Sequence, residues 1–87
     1  FHYRHHPMFS EILSLVQNGA IGRLCAIRSA FSVGIKFRPS ELRHDPALGG
    51  GALMDLGCYA LHWARTIAGT EPRVVSAQAD VSPQGVD

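Results

Sequence analysis

Three polar side chains in the stretch GGGALMDLGCYALHWAR, residues 49 to 65, could perform chemistry together. Asp55, Tyr59 and His62 are spaced by four and three positions, and this spacing places side chains on one face of an α-helix. A carboxylate can hold a substrate hydroxyl, and a phenol can give or take a proton at a carbon that bears oxygen. One interpretation is therefore a polar stripe that lines a pocket for a hydroxylated small molecule.

The three glycines that precede the stripe suit this interpretation, because glycine allows a tight turn and a close approach of a ligand to the backbone. The alternative assigns no chemistry to the stripe. Asp55 would then complement the helix dipole, while Tyr59 and His62 would cover the edge of a buried face. A metal site is not expected, since Asp55 and His62 lack the third and fourth ligands that zinc requires.

Two helices are predicted to position these residues. Pro7 suits a first helical turn, apolar side chains follow at helical spacing, and Asn18 with Gly19 supplies a C-terminal stop. The second helix, which contains the stripe, is predicted over residues 53 to 68 and is closed by Gly69. Each helix has an apolar face to bury.

Two long strands are predicted from alternating apolar residues, over Arg23 to Val33 and over Arg73 to Val81. Between the first strand and the second helix, residues 34 to 51 contain two prolines and four glycines and show no regular period. Such long loops in compact domains are often functional. The expected fold class is α+β, with two helices and two long strands.

Composition excludes several classes of function. The chain of 87 residues is 46% hydrophobic and 17% charged, which is typical of a globular domain, and its net charge of +1 provides no basic field for nucleic acid or membrane lipid. No apolar run is long enough to span a bilayer. Cys25 and Cys58 form no zinc or disulfide pattern, so two reduced, buried thiols and a cytoplasmic location are expected.

Three motifs together resemble a known enzyme family: YRHHP at residues 3 to 7, GAIG at 19 to 22, and DPALGGGALMDLGCYALHWAR at 45 to 65. They are similar to the glucose-fructose oxidoreductase, inositol dehydrogenase and rhizopine-catabolism (Gfo/Idh/MocA) family of NAD(P)-dependent oxidoreductases. The resemblance is strongest to the branch of the dihydrodiol and xylose dehydrogenases, and it covers nearly the whole chain.

The resemblance implies a domain organisation. Residues 1 to 6 would be the end of the last strand of a dinucleotide-binding Rossmann domain, whose remainder lies upstream of Phe1. Residues 7 to 87 would be the N-terminal part of a C-terminal domain with a large, open, mostly antiparallel sheet, like that of glyceraldehyde-3-phosphate dehydrogenase. That domain would bind substrate and mediate oligomerisation. Both ends of the chain therefore look like cuts, and a fragment is expected.

The resemblance also implies roles for single residues. Tyr59 matches the position of the proton donor or acceptor, and Asp55 matches a carboxylate that helps to orient the substrate. His62 and Arg43 fall in or beside the motif and would contact the substrate pocket. NAD or NADP would be bound mainly by the missing domain, with Tyr3 and Arg4 near its nicotinamide end.

The implied function is hydride transfer between NAD(P) and a hydroxyl-bearing carbon of a sugar, cyclitol or dihydrodiol. The alternative is a sugar-sensing or assembly module that keeps the pocket without the cofactor. The 87 residues alone are expected to show neither activity nor cofactor binding, because no glycine-rich phosphate loop is present. Self-association is expected through a sheet formed by residues 23 to 33 and 73 to 81, giving a dimer or other homo-oligomer.

Overall fold

Two α-helices are the main regular elements of the computed structural model, which describes all 87 residues. Helix α1 spans Pro7–Gln17 and helix α2 spans Cys58–Ala68. A π-helical turn, Leu53–Gly57, leads directly into α2. The remaining elements are three short 3₁₀ helices, at His2–His5, Leu42–His44 and Pro46–Leu48.

Helix α1 confirms the prediction made from its end signals. The Nδ1 atom of His6 accepts a hydrogen bond from the backbone N–H of Met8 at 3.1 Å, and Pro7 occupies the first helical position, where no donor is needed. Asn18 follows as the C-terminal cap. Phe9 is buried on the inner face and packs edge-on against Trp63 of α2, with ring centroids 5.0 Å apart. This contact joins the two helices.

The second helical segment has the predicted extent but begins with different geometry. The backbone N–H of Cys58 donates to the carbonyl of Leu53 as well as to that of Leu56, and the first of these bonds widens the turn. Gly69 ends the helix in the left-handed conformation, with φ of 65°. The widened turn was not predicted, and it lies just before Tyr59 within the motif at residues 45 to 65.

The predicted α+β fold is wrong, because the chain forms no β-strand. Residues 23 to 33 and 73 to 81 make no ladder of backbone hydrogen bonds with each other or with other segments. Alternation in a sequence marks the side chains that one face of a strand would bury, but a strand also needs a hydrogen-bonded partner. Val74 and Val75 are 78% and 80% exposed instead.

Two further expectations fail for the same reason. Residues 1 to 6 were expected to end a strand, whereas His2–His5 form a 3₁₀ helix. The homo-oligomer that was expected to form through a sheet has no sheet on which to assemble. The thiols are free, as expected, but Cys25 is exposed and Cys58 only half-buried.

Little of the chain is enclosed. Phe9, Gly51 and Val86 are its three buried residues. The radius of gyration is 16.0 Å, compared with about 12 Å for a compact domain of this length. Neither helix has the length and apolarity that crossing a membrane requires. The ordered centre of the molecule is therefore the contact between α1, α2 and the N-terminal 3₁₀ helix.

Candidate active site

Tyr59 lies in a groove of about 510 Å³ that is bounded by α2, the N-terminal turn and residues 28 to 31. Aromatic rings surround it. The Phe1 ring meets the Tyr59 ring edge-on with centroids 5.0 Å apart, and Phe31 does so at 6.0 Å. The Tyr59 hydroxyl makes no hydrogen bond within the chain, so it is available to a bound molecule. Arg28 is the only cationic arginine or lysine side chain that lines the groove.

Asp55 lies in the π-helical turn and is bound by Arg43 from the preceding loop. The Nε of Arg43 donates to Oδ2 of Asp55 at 2.9 Å, and its Nη1 donates to Oε1 of Glu41, also at 2.9 Å. Hydrogen bonds from Arg43 lower the pKa of Glu41, and those to Glu41 and Asp55 raise the pKa of Arg43. Glu41 and Arg43 are therefore both ionised near neutral pH.

The His62 ring contacts two hydroxyl groups through one of its nitrogens. Its Nδ1 is hydrogen-bonded to the Tyr3 hydroxyl, and the hydroxyl of Thr66 lies 3.4 Å from the same nitrogen. Burial lowers the pKa of His62, and the nearby positive charges of Arg4, the N-terminus and Arg65 lower it further. Burial is also the main cause of the raised pKa of Tyr3. His62 is therefore held as a neutral ring whose Nδ1 is already occupied.

The three residues of the polar stripe do not line one pocket. Tyr59 lines the 510 Å³ groove, Asp55 lines a smaller pocket of about 230 Å³, and His62 lines a third of about 420 Å³. The π-helical turn contributes to this separation, because it rotates side chains before Gly57 away from their α-helical positions. Phe31 lines both the Tyr59 groove and the Asp55 pocket, so these two are neighbours.

The glycines at 50 and 51 accommodate the chain's own atoms. A Cβ on Gly50 would lie 2.7 Å from the carbonyl oxygen of Arg43. Gly51 has φ of 120°, and a Cβ there would overlap Oδ1 of Asp87. The interpretation that these glycines admit a ligand is thus replaced by internal packing. The partner at Gly51 is a residue that no local pattern indicated.

Sequence reasoning also missed Glu41 and Phe31. Glu41 accepts a hydrogen bond from the backbone N–H of Arg43 at 3.3 Å, so it caps the 3₁₀ helix Leu42–His44. The spacing of Glu41 and Arg43, with an acid two positions before a base, was the available signal. Phe31 belonged to the apolar face of a predicted strand and had no signal for a pocket.

Tyr3 and Arg4, the two residues expected to contact a dinucleotide, differ in whether their side chains are available to bind it. The Tyr3 hydroxyl is committed to His62. The Arg4 side chain is exposed and makes no hydrogen bond or ion pair, so it is free to meet a phosphate. Because Gly50 and Gly51 are already packed by protein atoms, the glycine run provides no phosphate cradle.

The family model of the GFO/IDH/MocA C-terminal domain matches residues 9–87. A D-xylose 1-dehydrogenase (NADP(+)) of Haloferax volcanii is 38% identical over 87 residues, which are 100% of this chain and 26% of that protein. A trans-1,2-dihydrobenzene-1,2-diol dehydrogenase of Xenopus tropicalis is 36% identical over 88 residues, again 100% of this chain and 26% of that protein.

A third relative, a dTDP-3,4-didehydro-2,6-dideoxy-alpha-D-glucose 3-reductase of Streptomyces violaceoruber, is 36% identical over 73 residues, which are 84% of this chain and 21% of that protein. The chain thus spans about a quarter of the length of the curated relatives it matches. No solved structure matched the chain.

Proposed function

We propose, from the premise that this chain belongs to the GFO/IDH/MocA family through its C-terminal domain, that it is the substrate-binding part of an NAD(P)-dependent oxidoreductase. The substrate is a sugar, cyclitol or dihydrodiol that is oxidised or reduced at a hydroxyl-bearing carbon. The observation that supports this most is the free hydroxyl of Tyr59 within an aromatic groove. The relatives are named for activities of the same kind.

The proposed chemistry of this chain is binding and proton transfer. Tyr59 takes the proton of the substrate hydroxyl during oxidation and returns it during reduction. Asp55 accepts a hydrogen bond from a second substrate hydroxyl, on the other side of Phe31. NAD or NADP supplies or takes the hydride when it is bound by the dinucleotide-binding part of the protein.

The aromatic rings around Tyr59 contribute in two ways. Their faces and edges provide an apolar surface for the carbon skeleton of a cyclic substrate, and the Phe1 and Phe31 rings, both edge-on to Tyr59, restrict how the substrate ring can lie. We further propose that the boundary with the dinucleotide-binding domain lies near Pro7.

The test uses the enzyme that contains this chain and the Tyr59→Phe variant. The substitution keeps the packing of the ring and removes only the ionisable group. Turnover should fall by about 100- to 10,000-fold, the usual loss when a general acid-base group is removed. Cofactor affinity, measured by fluorescence titration, should hardly change.

Near-normal turnover in Tyr59→Phe would contradict the assignment. If the wild-type protein binds sugars but oxidises none with either NAD or NADP, the sugar-sensing alternative replaces the enzyme. Calorimetric titration with D-xylose as the first probe separates these outcomes, because it detects binding without requiring reaction.

A further inference from the structure

The Arg43 side chain connects the long loop to the π-helical turn. It is the one arginine in the chain that bonds two different carboxylates, Glu41 and Asp55, each at 2.9 Å. Two of the fixed donor directions of the guanidinium are used, one for each partner. Arg65, by contrast, bonds a single carboxylate, that of Glu71, at the other end of α2. Arg43 therefore holds the Asp55 carboxylate, which belongs to the proposed site.

The two carboxylates that Arg43 bonds are unequally exposed. The Glu41 side chain is 21% exposed and that of Asp55 is 30% exposed, while Arg43 itself is 41% exposed. The side chains of Glu41, Arg43 and Asp55 form a trio with one net negative charge, because the negative charge of Glu41 balances the positive charge of Arg43. Without Glu41, the guanidinium would neutralise Asp55 and weaken it as an acceptor.

Only one of the two carboxylate oxygens of Asp55 accepts a hydrogen bond within the chain. Its Oδ2 accepts from Arg43, while Oδ1 makes no hydrogen bond to any other residue. A carboxylate on a short side chain can otherwise rotate freely, and fixing it during substrate binding would cost affinity. The bond from Arg43 restricts that rotation in advance, so Oδ1 is presented in a defined direction.

We propose that Arg43 is a positioning residue, held by Glu41, which orients the Asp55 carboxylate to accept a hydrogen bond from a neutral hydroxyl of the substrate. This inference rests on the proposed function and deepens it. The net negative charge of the trio favours an uncharged hydroxyl donor at this position over a carboxylate or phosphate. Glu41 is thereby a second positioning residue, acting through Arg43.

The first test is a double-mutant cycle in the enzyme that contains this chain. Arg43→Ala should raise KM and lower kcat/KM by about 10- to 100-fold, as expected when a binding group is misplaced. In an Asp55→Asn background, the same change should lower kcat/KM by no more than about threefold, since the carboxylate to be oriented is gone. Arg43→Lys should restore part of the loss.

The matched control is Arg65→Ala, which breaks an exposed ion pair between α2 and Glu71, a residue beyond the C-terminal end of that helix, and does not touch Asp55. Its kcat/KM should stay within about twofold of wild type. If the effects of Arg43→Ala and Asp55→Asn instead multiply independently, Arg43 does not act through Asp55 and the inference is overturned, while the proposed function stands.

A second measurement does not depend on turnover. In the ¹H–¹⁵N spectrum of the chain, the Nε–H signal of Arg43 should be protected from exchange and should shift strongly in Asp55→Asn, but not in Asp80→Asn, because Asp80 is exposed and has no partner. If the Nε–H signal of Arg43 does not shift in Asp55→Asn, the inference is overturned. If the wild-type enzyme proves inactive, the proposed function fails, and a shifted signal still supports the orientation of Asp55 by Arg43.

Discussion

The hydroxyl of Tyr3 is hydrogen-bonded to Nδ1 of His62, a residue 59 positions further along the chain. The Tyr3 ring also stacks on that of Trp63, with centroids 5.7 Å apart and planes inclined by 28°, and it meets the Phe9 ring edge-on at 5.0 Å. One residue of the N-terminal turn thus contacts both helices. Since Tyr3 also borders the groove around Tyr59, it supports one wall of the proposed site.

Replacement of Tyr3 by phenylalanine should destabilise the chain. The ring stays in place, but the partly buried bond to His62 is lost, and such bonds contribute about 0.5 to 1.5 kcal/mol. Urea unfolding followed by tryptophan fluorescence would measure the change through Trp63. The control is Tyr59→Phe, which removes a hydroxyl without a partner and should alter the free energy of unfolding by less than about 0.5 kcal/mol. Equal losses in the two variants would contradict the importance of this bond.

The stability of the chain should depend on pH through His62. Its pKa is lowered in the folded state, while the unfolded chain titrates near the ordinary value of about 6.5. The unfolded state therefore takes up the proton first as the pH falls. The contribution of neutral His62 is fully present above about pH 6.5 and is lost progressively as the pH falls through the folded-state pKa.

Thermal unfolding between about pH 7.5 and pH 5 tests this, with Tm falling toward the acidic end. The His62→Gln variant should show a smaller fall than wild type. The exposed His5 offers a matched control, because His5→Gln removes an imidazole that has no hydrogen-bond partner. A pH dependence that persists unchanged in His62→Gln would assign it to another group.

The helical part of the fold could be predicted from the sequence because its signals are local. Pro7 and Asn18 mark the ends of α1, and Gly69 marks the end of α2, each through the conformation or hydrogen bonds of a single residue. The strands could not be predicted reliably, because alternation specifies a face and leaves the hydrogen-bonding partner undefined. The segments at 23 to 33 and 73 to 81 show this directly.

For the candidate site, the types of residues could be predicted more readily than their arrangement. The spacing of Asp55 and Tyr59 placed both on one helical segment, as the structure has them. It could not reveal the π-helical turn, because this turn depends on which carbonyl the N–H of Cys58 selects. Nor could it reveal that Arg43 bonds Asp55, a contact across 12 positions that involves an irregular loop.

Gly51→Ala should be strongly destabilising, since the methyl group would collide with the Asp87 carboxylate and the residue has φ of 120°. A loss of about 1 to 3 kcal/mol is expected from the backbone strain alone. Gly34→Ala is the matched control, because a Cβ there meets nothing within 4 Å and the backbone has no positive φ. Chemical denaturation of both variants would show the difference, and a tolerated Gly51→Ala would refute the packing described at this turn.

Asp87→Ala should loosen the start of the π-helical turn. Oδ2 of Asp87 accepts a hydrogen bond from the backbone N–H of Leu53 at 2.8 Å. Losing a carboxylate that satisfies a free N–H at a helix start costs about 1 kcal/mol. Asp87→Asn keeps an acceptor oxygen and should lose less. Amide hydrogen exchange at Leu53 is the direct measurement: faster exchange in Asp87→Ala is expected, and unchanged exchange would show that the bond contributes nothing.

The bond between Asp87 and Leu53 spans 34 positions, so it sets an order of events during synthesis. When the helix that contains Tyr59 leaves the ribosome, Asp87 is still inside the exit tunnel and cannot yet bond the N–H of Leu53. A nascent chain that stops before Asp87 exposes the N–H of Leu53 and leaves the turn around Asp55 frayed. The helix that contains Tyr59 is therefore complete at its amino end only after Asp87 has emerged.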